Sequence, residues 1–334
     1  MSRKEKKIRV TVPVSPATYA KMQYQALRRR HGDDHPEILR AAQEVARALG
    51  DRPEDQEESI ETYQNVMWAL WDSRGPDDPW FLEVVHDAAK VVFRSGDLAR
   101  AEEMFQAALD GRERVLGRNH RDSLASAEML GRVLTAVGRP AEAEALHRDV
   151  LDRRCRATGG DADAARVARL DVARSLLAQG RAQEAAVEFR ALTEEAERDW
   201  GPQDPRTAGS RSNLAGALFE LGELEEAARM FRAGLAAESR DDGTGHNNLA
   251  TVLFFLDRFE EAEDELRQAL ALKERHYGRD ALETMQSVEN LARVVARRGD
   301  RTEARALAQR CLAVYRRSYP AHHPRISGLR ELLD

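Results

Sequence analysis

Asn213, Asn248 and Asn290 hold one place in a repeating frame, each nine residues before a turn residue: Gly222, Asp257 and Gly299. A primary amide donates and accepts at once. One such side chain can therefore bond a carbonyl and an N–H of a bound chain together, which suits it to reading backbone. Asparagine is a poor residue inside a helix, and three successive units keep it, so the column has a reason beyond local structure. Earlier units place Ala41, Asp87, Met129 and Asp171 there. Three residues on, nearly one turn away on the same face, come Glu44, Lys90, Arg132, Arg174, Gly216, Thr251 and Arg293. Lys90, Arg132, Arg174 and Arg293 are cations able to meet ligand carboxylates. Asp87 with Lys90, and Asp171 with Arg174, read equally as i,i+3 surface pairs worth ~0.2–0.5 kcal/mol. Further along the same helices lie Phe219, Phe254 and Phe255. An exposed aromatic beside a polar column offers a seat for an apolar anchor, although Phe254 would fill a core just as well.

These residues need elements to hold them, and a period supplies those. Gly96, Gly138, Gly180 and Gly222 follow one another at 42 residues; Asp257 comes 35 later and Gly299 another 42 later. Five residues after each stands an alanine: Ala101, Ala143, Ala185, Ala227, Ala262 and Ala304. A fixed period of this size marks a stacked repeat. Around Gly222, Leu214, Ala215 and Leu218 precede the turn at helical spacing, and Leu224, Ala227, Phe231 and Leu235 follow it. The small residues Ala215 and Ala227 mark where two helices of one hairpin cross closely. The matching places hold Ala89, Gly131, Ala173, Ala250 and Ala292. A second set of glycines, Gly32, Gly75, Gly117, Gly159, Gly201 and Gly278, opens loops such as HGDDHPE and GPQDP. Pro36, Pro79 and Pro205 suit the first turn of the next helix. His31, His35 and His120 recur with these loops and lack cysteine partners, which argues against a metal site. The 35-residue spacing before Asp257 predicts a shortened helix ending near RDDGTG (240–245) and a local change of twist. The segment DRPEDQEE (51–58) reads as an inserted turn.

Composition agrees with a helical scaffold. The 334 residues are rich in Ala, Leu, Arg and Glu and poor in aromatics. No apolar run approaches the ~18 residues of a membrane span, and no signal peptide is read; a cytoplasmic protein is expected. Cys155 and Cys311 fall in expected helix interiors and read as buried apolar filler. No phosphate loop, nucleophile motif, HExxH or CxxC is present. A non-catalytic protein without cofactor is the expectation.

The segments SNLAGALFELGELEEAARMF (212–231), NNLATVLFFLDRFEEAEDEL (247–266) and ENLARVVARRGDRTEARALA (289–308), with the Gly-x-x-His/Asp-Pro loops, resemble the tetratricopeptide repeat in its 42-residue, kinesin-light-chain-like form. The resemblance covers roughly residues 32–334. It implies an all-α, right-handed superhelical solenoid of antiparallel helix pairs, about seven hairpins with a capping helix near 322–333. It also implies a protein or extended peptide as partner, held in the concave groove, with Asn213, Asn248 and Asn290 on its main chain and Asn247 assisting.

Residues 1–31 differ from the rest. They carry nine basic residues against Glu5, a net charge of +8 in a chain of net −6, which leaves −14 on residues 32–334. Ile8, Val10 and Val12 alternate with Arg9 and Thr11 as in a half-exposed strand, and Ser15-Pro16 signals a helix start. Strand, helix, loop and helix over residues 1–49 resemble a ribbon-helix-helix DNA-binding domain. In that reading Arg9 and Thr11 face bases, Lys4, Lys6 and Lys7 meet phosphate, and the chain is a homodimer. The other reading makes 16–31 the second helix of a worn first repeat and 1–14 a basic tail on a monomer. Gly32 lies 43 residues before Gly75, in the repeat register, which favours the second.

Overall fold

The computed structural model describes residues 15–29, 35–156, 162–237, 242–320, 322–330 and 332–333. They form sixteen α-helices and one 3-10 turn, with no strand among the described residues. Helix α1 (Pro16–Arg28) comes first. Seven pairs follow: α2 (Pro36–Gly50) with α3 (Gln56–Arg74), α4 (Pro79–Arg94) with α5 (Leu98–Leu116), α6 (Arg121–Ala136) with α7 (Pro140–Arg156), α8 (Ala162–Ala178) with α9 (Ala182–Trp200), α10 (Pro205–Glu220) with α11 (Leu224–Leu235), α12 (Thr244–Phe255) with α13 (Phe259–Tyr277), and α14 (Leu282–Arg298) with α15 (Arg301–Ser318). Helix α16 (Pro324–Arg330) closes the chain, burying Ile326 and Leu329. By contacts the chain divides into two units, Met1–Ser175 and Leu176–Asp334.

The turn and crossing columns do what their residue types require. Gly222 has φ +76° and Gly299 +97°, a region closed to most side chains, and Asp257 adopts it at +56°. A short polar side chain tolerates this backbone better than a branched one. The alanines that follow the turns are all buried, and so are Ala89, Ala173, Ala215, Ala250 and Ala292. Gly131 departs from alanine for a visible reason. A Cβ there would lie 2.2 Å from His147 Nε2, so the missing methyl makes room for the imidazole.

The loop signature is a capping signature. Asp78 accepts from the N–H groups of Trp80 and Phe81, and Asp204 from that of Arg206. His35 and His120 stand at the same place, and each Nδ1 accepts a backbone N–H, from Glu37 at 3.3 Å and from Asp122 at 3.2 Å. These caps satisfy N–H groups that the first helical turn leaves without partners.

The expected inserted turn is the 3-10 segment Pro53–Asp55. Helix α11 is short, 12 residues against 19 in α9. Cys311 is buried as expected, but Cys155 is exposed in the last turn of α7, whose buried residues are Ala143, His147 and Val150. Helix α1 is capped by Ser15 and packs Ala17 and Tyr24 against Val45 and Leu49 of α2. The strand expected at 8–12, with Arg9, Thr11, Lys4, Lys6 and Lys7, lies outside the described residues.

Candidate functional site

In the second unit, α10, α12 and α14 carry the asparagine column. Asn213 Nδ2 donates to Gly209 O on its own helix at 2.8 Å. Asn290 Nδ2 donates to Asn247 Oδ1 at 3.1 Å, and Ser287 Oγ donates to the same oxygen at 3.2 Å. Asn247 is buried at 5% exposure and serves as a strut between α12 and α14. Asn248 is half-buried, and its amide makes no hydrogen bond among the described residues.

An aromatic cluster lies at the C-terminal ends of α10 and α12. Phe255 is 59% exposed and meets Phe219 edge-on at 5.3 Å and Phe254 at 5.8 Å. Phe254 is half-buried, 5.5 Å from Phe259, with the Arg297 guanidinium 5.5 Å from its ring centroid. Between α12 and α14 a pocket of about 110 Å³ opens, floored by Leu266 and Val294 and rimmed by Thr251, Phe255, Asn290 and Arg293. Arg293 donates to Glu289 at 2.7 Å. Of the residues that the sequence placed in this part of the groove, Phe255, Asn290 and Arg293 line the pocket and Phe219 touches Phe255, whereas Asn247 is buried and Asn213 and Asn248 are not in the lining.

The cations of the first unit are arranged differently. Lys90 meets Asp87 at 3.2 Å, and Arg47, from the preceding hairpin, meets it at 2.6 Å. Burial alone would raise the Asp87 carboxyl, but the Arg47 hydrogen bond and the Lys90 charge hold it below the usual carboxylate range. Arg132 bonds Asp171 at 2.8 Å, and Arg174 lies 3.6 Å from the same carboxylate, which is 1% exposed. The aspartates therefore tie one hairpin to the next. The i,i+3 spacing did not disclose this; the signal in the sequence is an opposite charge 39 or 40 residues away, Arg132 to Asp171 and Arg47 to Asp87.

Profiles described as tetratricopeptide repeat match residues 82–156 and 241–317, and a further one matches 207–237. The chain is a tetratricopeptide repeat protein. No curated protein sequence matches it. Among solved structures, this TPR protein is similar to a Podosopora anserina protein described as a kinesin light chain with nearly identical TPR-like repeats. That match has 23% identity and TM-score 0.54, over 61% of this chain and 95% of that one. BtubC from P. vanneervenii matches at 20% identity and TM-score 0.57, over 68% and 94%. The Rap conjugation gene regulator of plasmid pLS20, solved in complex with the Phr* peptide, matches at 16% and 0.59, over 89% and 77%. At these identities the likeness is one of fold. No helix among the described residues of the TPR protein is long and apolar enough to cross a membrane.

Proposed function

We propose that this TPR protein is a non-catalytic scaffold or adaptor that binds an extended peptide along α10, α12 and α14. The observation that carries the reading is Asn248. Its amide stands without a partner two turns before the exposed Phe255 on α12, while Asn213 and Asn290 are held in place by hydrogen bonds and Thr251, Phe255 and Asn290 line a small pocket. An unbonded amide on a rigid helix is prepared to bond a backbone, and Phe255 with the pocket offers a seat for one apolar side chain. The Rap regulator, a protein of the same fold solved with a peptide, supports the same use of the architecture.

The test is a selection of peptides from a random display library, repeated with Asn248→Ala and Phe255→Ala combined. The wild type should enrich a peptide set that the double variant binds at least tenfold more weakly, with unchanged melting temperature. A selected peptide N-methylated at one bond should lose binding. If the variant enriches the same peptides with the same affinity, the groove is elsewhere.

A further inference from the structure

The first unit contains a cleft of about 1090 Å³ between the N-terminal ends of α2, α4 and α6. Trp80, Glu83, Asp87, Arg112 and Arg121 are among the residues that line it. Most of its cations already have carboxylates. Arg40 meets Glu83 at 3.3 Å, Arg47 meets Asp87, Arg74 lies 3.5 Å from Asp78, and Arg121 lies 3.4 Å from Asp122.

Arg112 is the exception. It is 5% exposed, and its Nη1 donates to Asp122 O and Ser126 Oγ, both at 2.9 Å. Among the described residues no carboxylate forms an ion pair with it. At the same place of the repeat frame Lys273 is also buried and donates to a backbone carbonyl, Glu283 O at 3.3 Å, but two other hairpins oppose this place with a carboxylate. Arg154 stands at the same place 42 residues on, and its guanidinium faces Glu128 of its own hairpin at 2.6 Å. Tyr315, at this place in the last pair, donates to Glu289 at 3.0 Å. Counting back the same 26 residues from Arg112 gives His86. The imidazole shares Ser126 Oγ with Arg112, its Nδ1 lying 3.2 Å from that oxygen. Where the hairpins of Arg154 and Tyr315 supply a carboxylate, this one supplies a neutral ring and an open cleft. Burial lowers the Arg112 guanidinium, and the charges of Asp122, Asp87 and Glu83 offset this only from beyond ion-pair distance, so an anion bonded directly to it would relieve its desolvation.

We propose that this cleft is a second binding site, which receives an acidic side chain of a peptide partner against Arg112 in the place that Glu128 occupies beside Arg154. Arg121, which also lines the cleft, flanks the incoming chain, while the Trp80 ring is covered by Arg40 at 4.1 Å. The site uses none of the asparagine column, so it stands or falls separately from the groove of the second unit. Burial and then the charge of Arg112 push the His86 imidazole down to about 3, which keeps the ring neutral near neutral pH.

The experiment is fluorescence anisotropy of a labelled hexaglutamate peptide on the full chain at low ionic strength, with hexaglutamine as control. Hexaglutamate should bind and hexaglutamine should not. Arg112→Gln should weaken binding at least tenfold. His86→Glu, which installs the repeat's own carboxylate, should do the same while raising the melting temperature. Asn213→Ala with Asn248→Ala should bind hexaglutamate like the wild type. Failure of the wild type to bind, or unaltered binding by His86→Glu, overturns the proposal. Equal occupancy by inorganic phosphate at the same concentration overturns its peptide part. A lowered melting temperature in a folded His86→Glu also overturns it, since Arg112 would then not be short of a counter-charge.

Discussion

His86 and His147 illustrate how much a single side chain can set. Both are buried, and burial lowers both imidazoles; Arg112 lowers His86 further, to about 3. The folded state therefore binds fewer protons than the unfolded chain, whose histidines titrate near ~6.5. Their contribution is fully present above that value and is lost as pH falls below it toward the folded pKa. The slope is ~1.4 kcal/mol per pH unit for each group still neutral. Asp87, held below its ordinary value, adds a loss that begins only at lower pH. Urea unfolding at pH 7.5 and 5.0 should show His86 contributing about 2 kcal/mol of the difference. His86→Asn should remove that share. Equal pH dependence in wild type and variant would mean that the ring is solvated.

At the scale of the element, the turn between α12 and α13 is the clearest case. Five of the six hairpin turns from Gly96 to Gly299 use glycine, and Asp257 has the same left-handed backbone at φ +56°. Its side chain contributes only a 3.5 Å pairing with exposed Arg297. Asp257→Gly should therefore be neutral or stabilising by up to ~1 kcal/mol, whereas Asp257→Val should cost ~1–2 kcal/mol. Thermal melts of the two variants separate them; equal stability would show that the turn relaxes. Why the register survives the shortened α11 is also an element-level matter. The 35-residue spacing removes turns from α11 while Ala227 and Ala262 stay buried at their crossings.

At the scale of the molecule, hairpins pack on their neighbours in sequence, through the first helices of adjacent pairs as well as within pairs, as α2 with α4 and α12 with α14. Stability in such a chain is a sum of local terms. Gly131→Ala drives a methyl into the His147 ring and should cost ~1–3 kcal/mol by overpacking. Hydrogen exchange should quicken in α6 and α7 and in the pairs beside them. Protection in α14 and α15 should be unchanged. A uniform loss across all helices would mean that the chain unfolds as one body.

The sequence by itself determined the repeat. Turn glycines, crossing alanines and amphipathic spacing depend on near neighbours in the chain, so their positions gave the seven pairs, the inserted turn and the short α11. It also located the asparagines and Phe255, because a column in a regular frame maps onto one face. Tertiary structure decided which of these groups are already engaged. Lys90, Arg132 and Arg174 are bound to aspartates, Asn247 is a buried strut, and Asn248 stands without a partner. It also decided that Arg112 lacks the carboxylate that Arg154 has. The reason is physical. Fold class follows from local periodicity, whereas the state of a charge or an amide is fixed by partners one repeat away, and only packing says which of those come within hydrogen-bond distance.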